Sequence, residues 1–115
     1  MNILITGVAG LIGSRLATHI LDKNIKDLNV IGIDDLSGGY IENVDKRCKF
    51  LKLDLVKDSE RLAQIFEEEQ IDIVYHLAAY AAEGLSPFIR KFNYENNLIA
   101  SINLINLSIK HNIQR

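Results

Sequence analysis

"MNILITGVAGLIGSRLATHILD", residues Met1 to Asp22, sets three glycines between an apolar run and a stretch with helical spacing. Ile3, Leu4 and Ile5 form a continuous apolar centre, the pattern of a strand covered on both faces in a parallel sheet. Ile12, Leu16 and Ile20 recur four apart, so residues 11–22 read as an amphipathic helix. Gly7, Gly10 and Gly13 therefore stand where a strand hands over to a helix. A helix start presents unpaired N–H groups and a partial positive charge, and holds an anion without any basic side chain. The backbone must then come close to its guest. Gly7 permits a tight turn, Gly10 a close approach, and Gly13 close packing of helix on sheet. Such a turn suits the pyrophosphate of a dinucleotide.

The rest of the chain repeats the alternation. Asn29–Asp34 (NVIGID), Lys49–Leu53 (KFLKL) and Asp72–Ala79 (DIVYHLAA) read as strands two, three and four. A loop of turn formers, DLSGGYIENVDKR, follows the second strand. Asp58 or Ser59 is placed to cap a second helix whose buried face is Leu62, Ile65 and Phe66. A last helix is expected over 92–111, after a loop with the chain's one proline, Pro87. Strands alternating with helices give an α/β fold. Right-handed crossovers then predict a parallel sheet of order 3-2-1-4: the first half of a doubly wound, Rossmann-type α/β/α arrangement in three layers.

Composition narrows the function classes. The 115 residues carry a formal net charge of −2, with Lys46, Arg47 and Lys49 as the densest basic group, so no nucleic-acid footprint is expected. Cys48 stands alone, and His19, His76 and His111 lie far apart, so neither a disulfide nor a metal site is expected. No run reaches the roughly 18 apolar residues of a membrane span, and no basic, cleavable leader is visible. A cytoplasmic location follows as the expectation.

Asp34 ends the second strand, 21 residues after Gly13. An acidic group there accepts hydrogen bonds from the ribose hydroxyls of a dinucleotide and repels a 2′-phosphate. No arginine lies between Leu28 and Asp45, so NAD is expected over NADP.

Several stretches in register resemble the extended short-chain dehydrogenase/reductase family, particularly NAD-dependent nucleotide-sugar epimerases and dehydratases. They are TGVAGLIG at 6–13, DDLSGG at 34–39, LDL at 53–55, HLAA at 76–79 and YENN at 94–97. The resemblance implies that Leu11 and Ile12 offer backbone N–H groups to the pyrophosphate. It implies that Asp34 and Asp35, with Leu36, Ser37, Gly38 and Gly39, surround the adenosine ribose, and that Asp54 meets the adenine amino group with Leu55 beside it. Leu77, Ala78 and Ala79 would line the cofactor trench, and Asn96 would lie near the nicotinamide. Tyr80 reads instead as a core or rim aromatic. Many sugar epimerases carry a lysine shortly after the HLAA-like stretch, where this chain has Ala81.

In this family a tyrosine acts as acid/base, and a lysine four residues later lowers its pKa. Four residues after Tyr40, Tyr75, Tyr80 and Tyr94 stand Val44, Ala79, Gly84 and Leu98. The resemblance thus implies that 1–115 is the NAD-binding Rossmann domain of a longer enzyme, truncated, with no catalytic residue and without the part that binds the nucleotide sugar. The alternative is a non-catalytic dinucleotide-binding sensor or regulatory module. With the chain truncated, strand four would be an exposed edge, which invites association. Leu98, Ile102, Ile105 and Ile109 form one apolar stripe on the last helix, and Ala100, Leu104 and Leu107 another. One stripe can cover the sheet; the other needs a partner. Together with the family's habit of dimerising through this helix, the stripe predicts a homodimer through 92–111.

Overall fold

The structure, a computed structural model, describes residues 1–115. Its elements are β1 (Asn2–Thr6), α1 (Leu11–Leu21), β2 (Asn29–Asp34), β3 (Lys49–Lys52), α2 (Ser59–Glu69), β4 (Ile73–His76), α3 (Arg90–Asn93) and α4 (Ala100–Lys110). A π-helical stretch, Tyr94–Ile99, joins α3 to α4, and a single 3-10 turn, Ile41–Asn43, lies between β2 and β3. The four strands form one parallel sheet in the order β3-β2-β1-β4, as expected. Register runs Ile5↔Gly32 between β1 and β2, Thr6↔His76 between β1 and β4, and Asp34↔Lys52 between β2 and β3.

Alternate side chains of each strand leave on opposite faces, and each face buries its own cluster. Leu4, Ile31 and Ile33 pack with Leu62, Ile65 and Phe66 of α2 and Ala100 and Leu104 of α4. Ile3, Ile5 and Val30 pack with Ala17 of α1, together with Val8 and Cys48. The result is three layers, with α1 on one face and α2 and α4 on the other. Cys48 lies buried just before β3, and burial pushes its thiol pKa up to about 11. No helix is long and apolar enough to cross a membrane.

Besides shifts of a single residue at other element ends, three features differ from the sequence reading, each for a physical reason. β4 stops at His76, because Thr6 Oγ1 takes the Ala78 N–H at 3.2 Å and draws the chain off the ladder. The last helix begins at Arg90 and contains the π-helical stretch, whose extra residue per turn leaves no mark in an apolar pattern. Asp58 occupies the position before α2, yet its carboxylate accepts the Asp54 N–H at 2.8 Å and caps no helical amide. The free edge of β4 is also not bare: Gln114 N–H donates to Asp72 O at 3.1 Å, and Val74 N–H to Arg115 O at 2.8 Å.

Candidate functional site

A cleft opens at the C-terminal ends of the strands, where ligands sit in open parallel sheets. Its floor is the turn between β1 and α1. Gly7 has φ +69°, a region L side chains rarely adopt. A Cβ there would also meet Ala78 N at 2.7 Å. Gly13 is held under the turn, since a Cβ on it would fall 2.1 Å from Gly7 O. Gly10 differs: a Cβ there would meet only Gly7 O, at 3.3 Å. Its bareness faces the cleft, which it lines with Gly7.

Gly10 is the residue before α1; no side chain caps it and no acidic residue stands in the first turn. The helical ladder begins with Ser14 N–H donating to Gly10 O at 3.1 Å. The amides of Leu11, Ile12 and Gly13 precede that bond, which is the arrangement that holds anions. The side chains of Leu11 and Ile12 point out, 78% and 68% exposed, so these residues contribute main chain only. They and Gly13 stand at the rim or beneath the cleft; the cleft-lining set does not include them.

Asp34 lies inside, 8% exposed, and lines the cleft. Its Oδ2 accepts the Ala9 N–H at 2.9 Å and its Oδ1 the Leu36 N–H at 2.8 Å. Each carboxylate oxygen has two lone pairs, so the bonds orient the group and leave acceptor capacity toward the cleft. Sequence reasoning had missed this brace between the glycine turn and the next loop. The acidic residue two before Leu36, with Leu36 at φ +64°, is the local turn that signals it. Ala9 O in turn accepts the Asn43 Nδ2 at 3.0 Å and the Tyr40 N–H at 3.3 Å. The loop 35–39 is thereby pinned over the turn: Asp35, Ser37, Gly38 and Gly39 line the cleft, and Leu36 does not. Asp35 Oδ1 accepts the Ser37 amide at 2.8 Å and its hydroxyl at 2.6 Å.

Asp54 and Leu55 line the far end, with Leu53 and Val56 beside them. Asp54 caps its own turn, accepting the Val56 amide at 2.9 Å and the Lys57 amide at 3.1 Å. Its other oxygen pairs with the exposed Lys57 ammonium at 3.0 Å. Burial raises its pKa, but the Lys57 and Val56 bonds outweigh that and leave it below the usual carboxylate range. Leu77, Ala78 and Ala79 make the β4 wall, and Asn96 and Ala100 close the side toward the last helix. Tyr80 also lines the cleft as a rim aromatic, 37% exposed and edge-on to Phe92 with ring centroids 4.9 Å apart. Asn96 falls in the π-helical stretch, a local irregularity frequent at functional sites. No group of His, Cys, Asp and Glu is placed to hold a metal ion.

The arrangement offers an anion seat, a carboxylate one strand away and an apolar wall opposite. Comparison with known proteins places the chain in a family. The model of the NAD dependent epimerase/dehydratase family matches residues 3–115. A UDP-glucose 4-epimerase of Caenorhabditis elegans is 35% identical over 99% of this chain and 36% of its own length. The crystal structure of the Thermotoga maritima UDP-glucose 4-epimerase with UDP-glucose superposes with a TM-score of 0.92 at 33% identity, covering 99% of this chain and 36% of that one. The Thermus thermophilus UDP-glucose 4-epimerase, in complex with NAD, gives 0.90 at 33% identity, over 98% and 35%. The chain spans about a third of the length of the relatives it matches.

Proposed function

This chain belongs to the NAD-dependent epimerase/dehydratase family, and from that premise we propose that it is the NAD-binding part of an enzyme acting on a nucleotide-linked sugar. The whole reaction would oxidise a sugar carbinol with NAD, rearrange the ketosugar and return the hydride. No tyrosine among residues 1–115 has a lysine four residues on, so this chain's contribution is the cofactor seat. The observation that carries the reading is the uncapped start of α1, opening beside the Asp34 carboxylate onto one cleft. At the edge of that cleft the amides of Leu11 and Ile12 hold the pyrophosphate. Asp34 and the 35–39 loop take the adenosine ribose, Asp54 and Leu55 flank the adenine, and Leu77–Ala79 and Asn96 run toward the nicotinamide. The lone buried thiol, Cys48, suits a reducing, cytoplasmic compartment.

Calorimetric titration with NAD and NADP tests the assignment. NAD should bind, and NADP at least about tenfold more weakly, because its extra phosphate meets two carboxylates, Asp34 and Asp35. Equal affinity for both, or heat from neither, overturns it.

The same proposal includes a homodimer. Leu98, Ile102, Ile105 and Ile109 are 48%, 41%, 55% and 71% exposed along one side of the last helix, while Ala100 and Leu104 opposite are buried. An apolar row on water favours a second copy. Sedimentation should show a dimer that Ile105→Glu converts to monomer; a monomeric wild-type chain at high concentration refutes it.

A further inference from the structure

Behind the β4 wall, a file of side chains joins β1, β4 and the last helix. Thr6 Oγ1 lies 2.7 Å from His76 Nδ1, and His76 Nε2 lies 3.0 Å from Ser101 Oγ. Ser101 Oγ lies 2.6 Å from the main-chain oxygen of Asn97. A carbonyl oxygen only accepts, so Ser101 donates its single proton to Asn97. The Ser101 oxygen then accepts from His76, and the imidazole carries its proton on Nε2. Nδ1 is left as an acceptor, and Thr6 donates to it. That leaves the Thr6 oxygen to accept the Ala78 N–H at 3.2 Å, and to share the Leu77 N–H, also at 3.2 Å, with the Thr6 carbonyl. The direction of every proton in the file follows from one end.

Asn97 closes the file at the other end of the wall. Its Oδ1 accepts the Tyr80 N–H at 2.8 Å, and its Nδ2 donates to the Tyr80 carbonyl at 3.1 Å. The residues between these bonds, Leu77 to Tyr80, have left the sheet and line the cleft. No strand ladder fixes them past Leu77, so the side chains do.

We propose that Thr6, His76, Ser101 and Asn97 are positioning residues, which hold the Leu77–Tyr80 wall at the cofactor through a neutral His76 in its Nε2–H form. The proposal rests on the reading of the cleft as an NAD site. A second proton on Nδ1 would face the Thr6 hydroxyl, which has its own proton there, and would break the file at its centre. Burial lowers the pKa of His76 and keeps the neutral form in place. Thr6 is fully buried on β1, an inner strand of the sheet, so the file ties the Leu77–Tyr80 segment to the interior of the fold.

Nitrogen NMR of the imidazoles in the full chain reads the tautomer. His76 should show a bare Nδ1 and a protonated Nε2 at neutral pH; the opposite tautomer or an imidazolium overturns the proposal. Ser101→Ala should weaken NAD binding roughly three- to tenfold, the worth of one net hydrogen bond, and release the Nε2–H preference. Ser101→Thr, which keeps the hydroxyl, should restore both. A Ser101→Ala chain that binds NAD as the wild type does overturns the positioning role alone. A wild-type chain that binds no NAD overturns the cofactor reading and the positioning role with it, whichever tautomer is found.

Discussion

One added methyl group should strongly destabilise the chain at Gly13 and spare the fold at Gly10. At Gly13 the new Cβ would lie 2.1 Å from Gly7 O, 2.8 Å from Gly7 C and 2.9 Å from Val8 Cα. Ordinary contact is 3.4 Å or more, and all three obstacles are backbone. Relief requires α1 to lift from the turn, against the packing of Ala17 on Ile3, Ile5 and Val30. A cost of about 3–5 kcal/mol follows for Gly13→Ala, the upper range of single-residue effects. At ~1.5 kcal/mol per molar urea this lowers the unfolding midpoint by roughly 2–3 M. Gly10 has φ −79° and ψ 175°, open to any residue. Its added Cβ would meet one atom at 3.3 Å, so Gly10→Ala should cost about 0.5–1 kcal/mol as an uncapped helix start. That same Cβ projects into the anion seat, and NAD affinity should fall at least about tenfold. Urea denaturation followed by circular dichroism, paired with NAD calorimetry, separates the two effects. A Gly13→Ala chain as stable as the wild type, or a Gly10→Ala chain with undiminished NAD affinity, refutes the reasoning.

Removing the Asp34 carboxylate leaves the Ala9 and Leu36 amides without their acceptor. Asp34→Ala should therefore lose about 2–4 kcal/mol as well as NAD binding, and a urea midpoint equal to the wild type's would count against the brace. Gln70 ends α2 in the left-handed region, φ 47°. Gln70→Gly should raise stability by about 0.5–1 kcal/mol, measured by the same unfolding assay. Burial lowers the pKa of His76 in the folded chain, so the unfolded chain binds more protons below the ordinary value near 6.5. The stability His76 contributes is thus complete above pH ~6.5 and is lost as pH falls below it. A stability curve for His76→Gln should lack that share of the slope; identical curves would contradict it.

The fold was legible because its two inner strands, β1 and β2, are buried on both faces. Ile3-Leu4-Ile5 and Val30–Ile33 are apolar runs too short for helices, and the Ile12, Leu16, Ile20 spacing admits only a helix. The glycine turn was legible for a related reason: Gly7 and Gly13 stand where a Cβ would strike backbone, and such a strand-to-helix turn announces itself by its glycines. Less could be read wherever a polar side chain redirects the main chain. Thr6 ends β4 from another strand, and a pairing across 72 residues has no local trace. The second duty of Asp34 was hidden likewise, because an acceptor aimed at a ligand and one aimed at two amides look identical in a sequence. Tyr80 read as a core or rim aromatic; it stands at the rim and also lines the cleft, where Asn97 clamps its backbone.

The central claim is that the start of α1 holds a diphosphate while Asp34 holds the adjoining ribose. Amide NMR of the chain during titration with NAD tests it most directly. The Leu11 and Ile12 amides should shift most, with Gly10, Leu36 and Ala78 following and the exposed face of α4 silent. A folded chain whose Leu11 and Ile12 amides stay fixed at saturating NAD contradicts the account.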